Sequence, residues 1–205
     1  MPLPQHSRTN RIQMHIVTYQ TQIKIIASIG KHRFVTTREE KSVKVYGINE
    51  GEETTATLRC GLFSLTGKYP LDENNAVTLP ANASTVIAEF PAAHWDNLVI
   101  TTHVAFTILG NEGGEIARDC LILPLFREMK WPKSKVRSTR KGDQVLFTSD
   151  TFAWRAFPDL DGEHPLADNF FDIYPGIPTV LPWPEKIATK KSPAMRFPLT
   201  LQIDP

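Results

Sequence analysis

Lys41-Ser-Val-Lys-Val-Tyr-Gly-Ile-Asn49 and Ala56-Thr-Leu-Arg-Cys-Gly-Leu62 are the stretches whose reading decides the fold. In the second, Leu58, Cys60 and Leu62 share one parity against Thr57, Arg59 and Gly61. In the first, Val43 and Val45 do the same before Ile48. A period of two is the mark of a strand with one buried face. The pattern recurs outward in both directions. Upstream, Ile23, Ile25, Ala27 and Ile29 alternate with Lys24, Ile26 and Ser28. Downstream come Val77 and Leu79, then Val86, Ala88 and Phe90, then Val99, Thr101, His103 and Ala105 against Ile100, Thr102, Val104 and Phe106. Leu121-Ile-Leu123 closes the segment. Turn signals fall between these runs at Asn49-Glu-Gly51, Thr66-Gly67, Asp72-Glu-Asn-Asn75, Pro80-Ala-Asn82 and Gly110-Asn-Glu-Gly-Gly114. About seven short strands in roughly a hundred residues predict an antiparallel sandwich.

A charged, proline-containing crossover, Arg127-Glu-Met-Lys-Trp-Pro-Lys-Ser-Lys135, leads into a second unit. Its strand-like runs are 136–139, 144–148, 152–157, 179–181 and 197–203, with a turn signal at Asp159-Leu-Asp-Gly162. A unit this small needs support from a neighbour. The reading is therefore all-β: two consecutive immunoglobulin-like antiparallel β-sandwiches, with 1–20 a leader or linker, 21–129 the first sandwich and 130–205 the second, smaller one. The one helix candidate, Ala92–Leu98, is short, and the longer helices that an α/β fold requires are absent.

The 205 residues are 41% apolar and 22% charged, which places the chain among globular proteins. Lys and Arg total 23 against 22 Asp and Glu, so net charge supplies no argument for nucleic acid or an anionic membrane. Sixteen prolines suit turns and edge strands better than helices. No apolar run approaches the roughly 20 residues of a membrane span. The polar start, Met1 to Asn10, predicts no signal peptide, which slightly favours the cytoplasm. Cys60 and Cys120 have nearly the spacing of an immunoglobulin bridge, but Trp95 lies too far from Cys60 to be the tryptophan that packs on one. Two buried thiols are favoured over a disulfide.

The residues that could carry chemistry have plain structural readings. Glu39/Glu40, Glu52/Glu53, Asp159/Asp161 and Asp168/Asp172 are the carboxylate pairs a glycosidase would need. Adjacent residues on a strand point to opposite faces, so the two Glu pairs do not converge. Asp159, Asp161 and Gly162 lack the further ligands of a calcium loop. The six histidines have no zinc-like spacing, and His103 reads as a half-buried strand residue. No Gly-x-Ser-x-Gly elbow, phosphate loop or dinucleotide fingerprint is present. No metal or cofactor is expected. Asn82-Ala-Ser84 is a sequon that matters only in a secreted protein. Trp154 reads as core, and Trp183, between Pro182 and Pro184, as the aromatic most exposed to solvent.

The most informative stretch is Phe147–Ala153, then Asp159–Gly162, then Leu166-Ala-Asp-Asn-Phe-Phe-Asp-Ile-Tyr-Pro-Gly176. It resembles the C-terminal immunoglobulin-like domain of glycoside hydrolase family 2 enzymes of the β-mannosidase and exo-β-glucosaminidase type. There a small acidic turn precedes Ser-Asp-Asn-Phe/Tyr-Phe-Asp, a Pro-Gly turn and a last strand. Ala167 replaces the serine, while 168–172 match. The runs 43–49, 56–67 and 77–82 resemble the preceding sandwich of the same enzymes. In the motif, Asp168 and Asn169 can satisfy turn amides, Phe170 and Phe171 point to opposite faces, and Asp172 precedes the Pro175-Gly176 turn.

The resemblance implies a non-catalytic accessory region of a retaining exo-β-glycosidase. Its catalytic (β/α)₈ barrel is then supplied elsewhere on the same parent protein or by a sister chain. The barrel's glutamates match no position here. The runner-up is a carbohydrate-binding module whose Trp183 and Trp131 contact an oligosaccharide. A cell-surface adhesion sandwich is a third reading, and it requires secretion.

Overall fold

The computed structural model describes residues 15–19, 22–26, 32–158, 166, 168 and 170–183, with side chains described from residue 34 onward. The first described element is a hairpin, β1 (His15–Tyr19) and β2 (Gln22–Ile26), that forms a two-stranded sheet of its own. β1 lies inside the stretch read as a leader. Its run of His-Ile-Val-Thr-Tyr is rich in residues that favour strands.

Seven strands follow: β3 (His32–Arg38), β4 (Ser42–Asn49), β5 (Thr54–Ser64), β6 (Leu71–Leu79), β7 (Ala83–Pro91), β8 (His103–Asn111) and β9 (Gly114–Leu121). They build two antiparallel sheets, β3-β4-β7 and β6-β5-β8-β9. The β4–β7 and β5–β8 neighbours are not consecutive in the chain, as in a Greek-key sandwich. The shared core takes Val45, Leu58, Cys60, Leu79 and Leu109 at one end and Val43, Leu62, Phe90, Trp95 and Ala105 at the other. The parity read for Leu58, Cys60 and Leu62 is thus the inward one. Trp95, fully buried, sits on the short helix α1 (Ala93–Asp96) that closes one end.

Two local readings are corrected and one unread strand is added. Asp72–Asn75 is not a turn but the middle of β6, an edge strand whose polar residues face solvent. Val99–Thr102 is not extended throughout: Ile100–Thr102 is a 3₁₀ turn, and the strand starts at His103. β3 carries little apolar signal because one of its inward residues is a threonine. The Thr36 hydroxyl is buried and bonded to the Thr107 hydroxyl (2.9 Å), while the Thr36 N–H donates to Asp119 (3.2 Å).

The turns are built as their residues suggest. Asn49, buried at the end of β4, donates its amide to the Glu52, Leu79 and Pro80 carbonyls at 2.7, 3.1 and 3.0 Å and accepts the Gly51 N–H at 2.9 Å. Asn82 adopts the left-handed conformation in the turn before β7.

The second sandwich comprises β10 (Val136–Lys141), β11 (Gln144–Ser149), β12 (Ala153–Ala156), β13 (Phe171–Ile173) and β14 (Thr179–Pro182). Its described sheets are β10-β11-β14 and β12-β13. They enclose Val145, Phe147, Phe171, Ile173, Leu181 and Trp183. Asp159, Asp161, Gly162, His164, Asn169 and the strand-like run 197–203 lie outside the described residues. Among the described residues no helix is long and apolar enough to cross a membrane.

One position in β5 has no alternative to glycine. Gly61 has φ of +153°, and a Cβ there would land on the Leu71 backbone carbonyl of β6. Neither group can yield without opening the β5–β6 ladder. Gly61→Ala is expected to lower unfolding stability by about 2 kcal/mol or more, read from urea denaturation midpoints. A change within about 0.5 kcal/mol, the range of neutral surface substitutions, would contradict this packing.

Candidate functional site at the seam between the sandwiches

β5 alternates until Cys60 and is then buried on both faces: Cys60, Gly61, Leu62, Phe63 and Ser64 are all inaccessible. β8 does the same from Val104 to Thr107. A strand loses its alternation when something covers its second face. Here the cover is the second sandwich. Phe63, Leu65, Val104 and Phe106 leave the inner core and join Met129, Phe152 and Tyr174 in a separate apolar cluster. Phe63 lies 5.1 Å from Phe152 and 5.3 Å from Tyr174, and Phe106 meets Tyr174 edge-on at 5.9 Å. Removing one such buried ring typically costs about 3–5 kcal/mol.

Polar groups fix the register of this contact. Arg118 of β9, with a side chain 9% exposed, finds an acceptor for every guanidinium N–H. Nε and Nη2 grip the Glu115 carboxylate at 2.6 and 2.5 Å. Nη1 donates to the Asp172 carbonyl (3.0 Å) and the Thr179 hydroxyl (2.7 Å), and Nη2 also reaches the Pro178 carbonyl (3.2 Å). The same guanidinium lies over the Tyr174 ring at 5.0 Å. Tyr69 donates its hydroxyl to the Pro175 carbonyl (2.7 Å), and the Phe152 N–H donates to the Leu65 carbonyl (2.9 Å). Gly67 permits the closest backbone approach, since a Cβ on it would lie 2.7 Å from the Asp150 carbonyl oxygen.

The motif around residue 170 now has its geometry. Asp168 accepts the Phe170 N–H (3.0 Å), closing a turn. Phe171 is buried against Phe147 at 5.1 Å, while Phe170 is 59% exposed beside Phe157. Asp172 turns its carboxylate into the seam, where it accepts the Arg155 N–H (2.9 Å) and the Cys120 thiol (3.4 Å). Arg155 holds a left-handed φ of +52° to deliver that N–H, and β12 shifts register at this point. Pro175 is buried, and Gly176, with φ of +69°, returns its N–H to the Ser149 carbonyl at 2.8 Å.

The tryptophans are corrected in part. Trp183 is not an exposed aromatic: it is 3% exposed and packs with Phe147 in the core, its backbone N–H donating to the Asp143 carbonyl. The flanking prolines mark a strand end and do not display the ring. Trp131 is half-buried, its indole N–H donates to the Phe126 carbonyl (2.8 Å), and Phe126, Trp154 and Phe152 all lie within 6.1 Å of its ring. Trp154 is likewise half-buried.

The carboxylates considered for catalysis hold structure wherever they are described with partners. Glu39 is held below its ordinary pKa by its bonds to Lys44 and Tyr46. The Glu50–Glu53 turn lines an open hollow with Thr54, Ala81 and Asn82. Cys60 and Cys120 are not bridged, and burial pushes the Cys60 thiol up to about 11, so it stays protonated. The sequence reading missed Arg118, Tyr69 and Phe152. The doubled apolar pairs Leu62-Phe63 and Ala105-Phe106, which break the alternation, were the available signal.

Fold and seam together define a tandem of immunoglobulin-like sandwiches locked face to end. Residues 41–126 match the family model described as a mannosidase Ig/CBM-like domain. A β-D-mannosidase from Dictyoglomus thermophilum superimposes with a TM-score of 0.62 at 20% identity, over 75% of this chain. The exo-chitosanase CsxA of Amycolatopsis orientalis does so with a TM-score of 0.50 at 15% identity, over 74% of this chain. The chain spans only 20% and 23% of those two enzymes. Among curated proteins none matches. The expected fold and its likeness to the immunoglobulin-like regions of mannosidase-type hydrolases are thereby supported.

Burial raises the Asp172 pKa above the ordinary carboxylate value, against the opposing pull of the Arg155 amide, the Cys120 thiol and the Arg155 and Arg118 charges. The folded state therefore holds this proton at pH values where the unfolded state, near 3.9, has released it. Stability is then lost as pH rises from the unfolded value through the folded one. Urea denaturation of the wild type and Asp172→Asn across about pH 4 to 8 reads this directly. The wild type is expected to lose ground to the variant as pH rises. A gain would contradict the burial of this group.

Proposed function

We propose that this chain is the non-catalytic C-terminal accessory region of a β-mannosidase-like glycoside hydrolase, itself a retaining exo-β-glycosidase. It is divided at 129/130 into two sandwiches and supports a catalytic (β/α)₈ barrel on the same parent protein or a sister chain. The observation that carries this reading is the seam. Its acidic and aromatic residues are spent on locking one sandwich to the other, as a strut requires, and not on lining a cleft. The matched family model and the one-fifth share of the Dictyoglomus thermophilum mannosidase support the same reading.

Carbohydrate binding is the second reading, favoured by one observation: Phe126 is 44% exposed beside Trp131. Its weakness is that Trp131 already packs against three aromatic rings, whereas a sugar platform presents a free ring face.

One pair of assays separates the readings. The chain alone is expected to release no aryl alcohol from aryl-β-mannoside, -glucosaminide or -galactoside. Its tryptophan fluorescence is expected to stay flat on titration with mannan or chito-oligosaccharides. Turnover surviving removal of contaminants would overturn the accessory reading, and a saturable fluorescence change would favour the binding module.

A further inference from the structure

The seam does not end at its buried cluster. Trp131 and Trp154 belong to it and continue outward to Phe126, whose ring lies 4.5 Å from each of them. Beside Phe126, Leu125 is 58% exposed. The Lys130 N–H donates to the Thr101 carbonyl, which ties this stretch to the loop where Val99 and Ile100 are exposed at 57% and 42%. Scattered exposed apolar residues mean little, but a contiguous aromatic and aliphatic shelf marks an interaction surface.

The rim of the shelf is basic. Arg127, Lys130, Lys133 and Lys135 are all exposed, and the Arg155 guanidinium lies over Trp154 at 5.6 Å. The single carboxylate in the stretch, Glu128, is turned back onto the Leu125 N–H at 3.0 Å. The shelf is also preorganised, because the Trp131 indole N–H is bonded to the Phe126 carbonyl.

We propose that this shelf docks the catalytic domain of the parent hydrolase through an apolar protein surface rimmed by Asp and Glu. The proposal rests on the accessory reading above. Three features favour that occupant. The shelf is continuous with the interface that joins the two sandwiches. Its rim calls for an acidic partner. A second copy of this chain would set like charges against each other, which is costly.

The test uses the full chain and, as probe, the barrel polypeptide encoded by the adjoining part of the parent reading frame or by its neighbour, produced separately. Isothermal titration compares the wild type with Leu125→Ser/Phe126→Ser and with Lys130→Glu/Lys133→Glu. The charge variant touches only exposed positions and so keeps the test valid if the apolar variant folds poorly. Each variant is expected to bind about tenfold or more weakly, and wild-type affinity is expected to fall with added salt. Wild-type binding that both variants retain in full would overturn the shelf and leave the accessory reading standing. Absence of wild-type binding would overturn both. Wild-type dimerisation in sedimentation, abolished by the same variants, would assign the shelf to a second copy and overturn the proposal.

Discussion

Covering both faces of one end of a single sheet is the constraint on which this molecule depends. At the Phe63 end, β5 and β8 have a sandwich partner on one side and a second sandwich on the other. A strand in that position must bury every side chain, apolar or, as at Ser64 and Thr107, with its hydroxyl hydrogen-bonded, and its backbone must be satisfied within the sheet. That requirement accounts for the doubled apolar pairs and for the aromatic rings that reach outward instead of a polar face.

The arrangement resolves a weakness of the second sandwich. Its described sheets are small, and its own core is one cluster around Phe147 and Trp183. Phe152 and Tyr174 are directed not into that core but against Phe63 and Phe106. Dispersion and burial at the seam are nondirectional, so they do not by themselves fix an angle between the units. Arg118 does: its planar fork reaches three acceptors on or next to β13 and β14 while Glu115 neutralises it, and a lysine could not reproduce that set.

Legibility in the sequence followed how much local pattern each element carries. β4, β5 and β7 were readable because their inward residues are apolar and alternate. β3 was not, because Thr36 replaces an apolar residue with a buried hydroxyl pair that only the folded partner, Thr107, makes tolerable. The middle of β6 was read as a turn because an edge strand tolerates Asp, Glu and Asn, the residues that also make turns. Of the motif at 168–176, the opposite placement of Phe170 and Phe171 followed from strand geometry alone. The role of Asp172 as an acceptor for a left-handed Arg155 did not, since that bond joins residues on different strands. Trp183 was misplaced because flanking prolines say where a strand stops, not which way a side chain points.

The central claim is that the two sandwiches behave as one cooperative body. Differential scanning calorimetry of the whole chain tests it most directly. One transition is predicted, with calorimetric and van't Hoff enthalpies in agreement. Two separable transitions, each scaled to one sandwich, would show that the seam is a mere contact and contradict the account.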